Sequence, residues 1–298
     1  MPNTAVTSLT LADIKRLMPT RHERSNKSTF GRVVAVCGSH GMSGAAYLAA
    51  LAAYRVGCGL VEIVTPEDNR VILQTLLPEA VLTCYDADSP DNSVIAAAVA
   101  RADAVVVGCG LGTSPASREV LETVLAVLRV PAVLDADALN LLAALPHLWA
   151  QVPDGTVITP HPGEMSRLTG KSVSEILDNP LGIASEYARG HNVVCVLKDH
   201  KSIISDGAEH YINGFGNSGM ATAGSGDVLA GVIGGLLAQR RNCPMASRPD
   251  AAALPLAALG VFLHSLAGDA AAARLTEYSV MASDIANALP EVLAQNAK

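Results

Sequence analysis

Six short apolar runs, each followed or closed by glycine, proline or aspartate, set the strongest limit on how this chain can fold. They are RVVAVC before Gly38, LVEIVT before Pro66, DAVVVG ending at Gly108, PAVLDA around Asp135, GTVITP ending at Pro160 and NVVCVLK before Asp199. Runs of this length that are apolar on both alternating faces read as buried strands. Helical segments lie between them: Ala45 to about Val56, stopped by Gly57 and Gly59; a stretch over 117–128; DALNLLAAL over 137–145; and one that begins near Gly163. KSIISDGAEHYIN reads as a hairpin that turns at Asp206 and Gly207, and beyond Gly219 the chain is mostly helical.

Strands that alternate with helices imply an α/β fold, with a mostly parallel sheet covered on both faces and right-handed crossovers. No internal repeat or low-complexity linker divides the 298 residues, so 1–298 reads as a single domain. Residues 1–30 read as a short helix and an exposed lead-in carrying Arg21, His22, Arg24 and Lys27. Only 3% of residues are aromatic while 50% are hydrophobic, so Ala, Val, Leu and Ile have to fill the core. Ligands of such sheets bind beyond the carboxyl ends of the strands. The loops that fall there are GSHGMSG, GCGLGTS, DADALN, TPHPGE, KDHKS and GNSGMATAGSGD.

Composition removes several function classes. The formal net charge is −7 and no basic cluster is present, which argues against nucleic acid as a partner. The six cysteines form no C-x-x-C pair, so a zinc site is not indicated; several lie in apolar runs and read as buried free thiols of a reducing, cytoplasmic compartment. The N-terminus lacks a signal-peptide pattern. The most membrane-like stretch, residues 251–273, is interrupted by Pro255, His264 and Asp269 and reads as a buried helix rather than a span.

The strongest chemical signal is Gly224-Ser225-Gly226-Asp227 at the start of an apolar helix. Free N–H groups at a helix start, with the helix dipole, make an anion site, and small residues leave it open to a phosphoryl group. An aspartate in a first helical turn also serves as a simple cap. After a glycine-rich loop, Asp227 suits a general base that takes a proton from a hydroxyl during phosphoryl transfer. No G-x-x-x-x-G-K-[ST] is present, and the glycines at 38, 41 and 44 do not form G-x-G-x-x-G. His161 between Pro160 and Pro162 is rigidly placed. Glu164 can equally cap the helix that follows it, Lys198 can be a solvated strand end, and Asp135 and Asp137 fit either a site or plain loop geometry.

Taken in order, GRVVAVCGSHGMSGAAYLAALAAYRVGCGLVEIVTP, GCGLG, DADALN, ITPHPGEMSRL, VLKDHKSII, GNSGMATAGSGDVLAG and HSLAGDAAA make the chain resemble the NAD(P)H-hydrate dehydratase family over about residues 10–295. The resemblance implies a ribokinase-like three-layer αβα sandwich. It implies phosphorylation of the 6-hydroxy group of hydrated NADH or NADPH (the S-epimer) by ADP or ATP with Mg2+, followed by loss of phosphate. It makes Asp227 the catalytic base and Gly224, Ser225 and Gly226 the anion hole. Ala45, Gly112, His161 and Asp227 match positions that line the hydrate site. Lys198, Asp199, His200, Lys201, Ser202 and Gly226 match the nucleotide-binding positions. Asn140 and Asn217 are further polar contacts, and Glu164, in H-x-x-E rather than the superfamily's N-x-x-E, is a suspected metal ligand.

Two strings depart from the family: Ala223-Gly224-Ser225-Gly226-Asp227 replaces G-G-T-G-D, keeping a hydroxyl, and Lys198-Asp199 replaces Lys-Gly, adding a carboxylate beside the donor. Many relatives carry a fused epimerase domain; the first 30 residues here cannot hold one, which places that activity on another chain. The resemblance also implies a homotetramer and leans to ADP as donor. The alternatives are a vitamin or sugar kinase of the same superfamily, and a non-catalytic nucleotide-binding protein.

Overall fold

The structure is a computed structural model, and it describes residues 10–243 and 253–296. Residues 1–9 of the expected lead-in and 251–252 of the membrane-like stretch lie outside the described residues. The first half of the chain runs α1 (Leu11–Leu17), β1 (Arg32–Val36), α2 (Ser43–Arg55), β2 (Leu60–Pro66), α3 (Arg70–Leu76), β3 (Val81–Tyr85), α4 (Asn92–Val99), β4 (Ala104–Val107), α5 (Pro115–Val127), β5 (Ala132–Leu134) and α6 (Asp137–Ala144). It continues β6 (Val157–Ile158), α7 (Pro162–Thr169), α8 (Val173–Asp178), α9 (Pro180–His191), β7 (Val194–Leu197), β8 (Ile203–Ser205), β9 (His210–Ile212), α10 (Ser225–Ala238), α11 (Ala253–Leu275) and α12 (Ala282–Asn296).

One nine-stranded sheet has the order β3-β2-β1-β4-β5-β6-β7-β8-β9. Pairs from β3 across to β7 are parallel, and β8 and β9 add antiparallel, so the expected hairpin is present with its turn at 206–209. Side chains alternate across a strand, and here the alternation divides two apolar cores. Val33, Ala35, Ile63 and Val106 face a layer made by α2, α10, α11 and α12. Val34, Val36, Val64 and Val107 face a second layer from α4, α5, α6 and α9. Three layers, helix on sheet on helix, follow directly.

The scarcity of aromatic residues is met by close backbone approach. A β-carbon on Gly231 of α10 would stand 2.1 Å from the carbonyl oxygen of Ala49 in α2. The first layer therefore packs Ala and Gly surfaces together, where dispersion between backbones replaces bulky side chains.

Two expectations change. β3 was not anticipated as a strand; it lies at the sheet edge with Val81 54% exposed, and its mixed sequence VLTCY lacks the uniform burial that marks the inner strands. The run GTVITP contributes only Val157 and Ile158 to the sheet, because Thr159 and Pro160 already turn toward the ligand end. The apolar α11 is long enough for a span by length and composition, yet Leu256, Leu259, Phe262 and Leu263 are buried within the first core.

Candidate active site

The carboxyl ends of β4, β5, β6 and β7 converge beneath the first turn of α10. At β5 the chain leaves the sheet through Asp135 and then Ala136, whose φ of 47° is rare for a residue with a side chain. That turn aims two successive carboxylates away from the strand. Asp135 is 1% exposed. Its Oδ1 accepts from Thr159 Oγ1 at 2.6 Å and from Lys198 Nζ at 2.8 Å, and the Cys109 thiol reaches its Oδ2 at 3.7 Å. Asp137 accepts the N–H of Gly112 at 2.8 Å, which ties the loop after β4 to the start of α6.

The N-terminus of α10 is open. Gly224 adopts a left-handed φ of 87°, and no side chain caps the helix. Ser225 returns its N–H to Thr222. Among the described residues nothing accepts from the N–H groups of Gly226 and Asp227, so they and the helix dipole face the mouth. A β-carbon on Gly226 would lie 3.3 Å from Lys198 Nζ and 3.8 Å from Asp135 Oδ2, so glycine here keeps the ammonium and the helix start in direct view of each other. The Ser225 hydroxyl meets Nε2 of the buried His264 at 3.4 Å. Burial lowers that imidazole to about 4, so it is neutral at physiological pH.

Asp227 shares this spot with Asp135 and Cys109; one ligand atom from each lies within 4.8 Å of the others. Burial, then repulsion from Asp135, pushes the Asp227 carboxyl up to about 6, while Cys109 and Lys198 act the other way. A carboxylate with a pKa near neutrality, at an anion-binding helix start, suits a general base. Burial alone would lower the Lys198 ammonium; Asp135 and Glu164 outweigh it and hold it above its ordinary value.

The remaining residues fall around this centre. His161 caps α7: its Nδ1 accepts from Gly163 N at 3.0 Å and Glu164 N at 3.4 Å, leaving a half-exposed ring whose Nε2 points toward Glu164. Glu164 is buried, accepts the His161 N–H at 2.8 Å and lies 3.8 Å from Lys198. It therefore does both things the sequence left open: it caps the helix and faces the site. Ala45, in the first turn of α2, would touch any β-carbon on Gly110, so Ala45 and the loop to Gly112 form one wall. Asp199, His200, Lys201 and Ser202 make the turn between β7 and β8. Ser202 accepts the N–H of Asp199 at 3.4 Å and donates to its carbonyl at 3.1 Å, and the Asp199 carboxylate turns back to accept the N–H of His200 at 2.7 Å.

Asn140 is spent on Asp137 and Arg167 rather than facing a ligand directly, and Asn217 bonds Asp269. An open hollow of about 720 Å³ is lined in part by Asn217, Asp269 and Tyr278. Lys198 is not the solvated strand end that its sequence position allows; its side chain turns inward onto Asp135. Thr159, Cys109 and His264 were not singled out from sequence. Thr159 and Cys109 did lie in loops at the ligand end, but His264 has only its break in an apolar helix to mark it.

The family model described as NAD(P)H-hydrate dehydratase matches residues 33–291. The bifunctional NAD(P)H-hydrate repair enzyme of Moorella thermoacetica is 40% identical over 294 residues, covering 96% of this chain and 53% of that protein; this chain thus spans about half the length of that relative. The ADP-dependent (S)-NAD(P)H-hydrate dehydratase of Neisseria meningitidis serogroup B is 39% identical, covering 84% of this chain and 80% of its own. Among solved structures, the ADP/ATP-dependent NAD(P)H-hydrate dehydratase of Bacillus subtilis, co-crystallised with ATP/Mg2+, superposes with a TM-score of 0.82 at 27% identity and 99% coverage of both chains.

Proposed function

The chain belongs to the NAD(P)H-hydrate dehydratase family, and we propose that it restores NADH and NADPH from the S-epimer of their 6-hydroxy hydrates, with ADP as phosphoryl donor. The observation that carries this reading is the Asp227 carboxylate at the mouth of an uncapped helix N-terminus, beside the Lys198 ammonium. Asp227 takes the proton of the substrate hydroxyl as its oxygen attacks the terminal phosphorus of the donor. The N–H groups of Gly226 and Asp227 and the Lys198 ammonium meet the charge on the transferred group. Phosphate then departs, pushed by the ring nitrogen's electron pair, and loss of a ring proton restores the dihydronicotinamide. Hydroxide is a poor leaving group and phosphate a good one, which is why a kinase fold can complete a dehydration.

Ala45, Gly112 and His161 form the wall assigned to the hydrate, and the turn from Lys198 to Ser202 the side assigned to the donor. Asp199, whose carboxylate is held on its own loop, is compatible with a phosphate-rich ligand. Magnesium, in this reading, arrives on the donor's phosphates. Both oxygens of Asp135 and one of Glu164 already face protein donors, which leaves little room for a protein-held ion between them. We further place the protein in the cytoplasm, working alongside an epimerase activity. Six free thiols support the compartment, and the bifunctional relatives, of which this chain matches about half, support the partner. The exposed Val71, Ile72 and Leu76 of α3 and Val81 of the edge strand β3 support self-association, which we take to be a homotetramer, and sedimentation velocity measures its size.

The experiment is to supply hydrated NADH and follow the return of dihydronicotinamide absorbance with ADP, with ATP and with neither. Recovery that requires nucleotide, and falls by about 10²–10⁴-fold in Asp227→Asn, establishes the reaction and its donor. A folded, nucleotide-binding chain that restores no absorbance with either donor refutes it.

A further inference from the structure

Lys198 Nζ lies between two nearly buried carboxylates that arrive from different strand ends. Asp135, at the end of β5, is 2.8 Å away with a side chain 2% exposed; Glu164, in the first turn of α7, is 3.8 Å away and 6% exposed. Two buried carboxylates facing one point demand a cation there. Hard oxygen ligands of this type usually take a divalent metal. Three of the four oxygens that would bind one are already occupied or crowded: Asp135 Oδ1 by Thr159 and Lys198, Asp135 Oδ2 by Cys109, and Glu164 Oε2 by the His161 N–H; the fourth, Glu164 Oε1, faces His161 Nε2 at 3.5 Å. The free side of the ammonium faces Gly226, where the absent β-carbon leaves the line to the α10 N-terminus open.

We propose that the Lys198 ammonium is the built-in cation of the transfer site, occupying the place between Asp135 and Glu164 that a protein-bound divalent ion would otherwise take, and that Asp135 is its positioning residue. The expected metal role of Glu164 is replaced by a role as the second anchor of Lys198. A transferred phosphoryl group is then bound between Lys198 Nζ on one side and the first-turn N–H groups of α10 on the other. The role toward phosphoryl rests on the dehydratase reading, whereas the occupancy of the cation place does not.

The test is a Mn2+ titration of the protein without nucleotide, followed by electron paramagnetic resonance of free Mn2+ and by calorimetry. The wild-type chain is expected to hold no Mn2+ more tightly than millimolar. Lys198→Met, shown folded by its circular dichroism and melting curve, is expected to gain one site at least about tenfold tighter, since an oxygen-rich place has lost its resident charge. The site is expected to vanish again in the double variant with Asp135→Asn, and Lys198→Arg is expected to gain none. Asp135→Asn alone is expected to lower kcat by about 10–100-fold while nucleotide affinity changes less than about threefold.

Tight Mn2+ binding by the wild-type chain that is lost on Asp135→Asn overturns the proposal, and this measurement needs no Lys198 variant to fold. A folded Lys198→Met chain that binds Mn2+ no better than wild type overturns it equally. If no nucleotide restores NADH while these titrations come out as expected, the dehydratase reading fails and the cation assignment stands.

Discussion

Asp135 and Asp227 are two carboxylates at one site with divided duties, and their surroundings set the division. Asp135 has three donors, among them an ammonium at 2.8 Å, and serves as an anchor. Asp227 is half-buried beside Asp135, and burial with repulsion from that carboxylate pushes it up to about 6. The rate of hydrate repair should therefore rise as pH passes upward through about 6, where Asp227 loses its proton, and a pH profile of kcat/KM checks this. The sign for stability is opposite. A carboxyl whose folded pKa lies above its unfolded value of 3.8 favours the fold below 3.8 and loses that contribution as pH climbs through about 6. Asp227→Asn should consequently be more stable than wild type at pH 8, by on the order of 1–2 kcal/mol once partial exposure is discounted. The two should converge near pH 3.5; denaturant melts at both pH values measure the gap. Asp227 was legible as a candidate base because glycine, serine and glycine precede it. That of Asp135 was not, since an aspartate after a strand looks the same whether it ends a loop or anchors a lysine sixty-three residues away.

At the scale of the element, α10 does two unlike things with its small residues. At its start, Gly224 and Gly226 supply the backbone turn and the open approach that a phosphoryl group needs. Further along, Gly231 and Gly235 lie against α2, where a β-carbon would meet Ala49 O at 2.1 Å and Val56 Cγ2 at 2.6 Å. Gly231→Val should force α2 and α10 apart and destabilise the protein by about 2–4 kcal/mol. Because both helices open onto the site, activity at a temperature where the variant is still folded should also fall; thermal melts and the absorbance assay read the two effects separately. The inner strands and the helices α2, α5, α6, α7 and α10 were legible from runs and glycine stops, whereas α3, α4, α8 and α9 were not. The edge strand β3 was not: its partner covers one side only, so its sequence is free to mix Thr and Cys with Val, and no local pattern betrays it.

For the whole molecule, the apolar sheet and its two helical layers enclose the thiols. Cys37, Cys58, Cys109, Cys195 and Cys243 are buried and Cys84 is half-buried. Burial pushes Cys58, Cys84 and Cys243 up to about 11 and Cys195 to about 12. A thiol-reactive dye at pH 7.5 should therefore find almost no fast-reacting group in the native protein and six after denaturation, because the thiolate is the reactive species. Adding nucleotide should not change the native count.

The sequence alone determined the alternation of strand and helix and hence the α/β class, and it pointed to the open helix start and to Asp227 as the candidate base, because each depends on residues within one short segment; the ribokinase-like class came from the order of its motifs along the chain. Periodicity, glycine placement and capping are local physics. What only the tertiary structure decided is the electrostatics. Lys198 turns inward because Asp135, just after β5, and Glu164, in the first turn of α7, arrive beside it. Asp227 titrates near 6 because Asp135 and the packed core surround it, and His264 stays neutral because α11 is buried behind Ser225. A charge answers to every group within a few ångströms, and which groups those are is fixed only when distant parts of the chain meet.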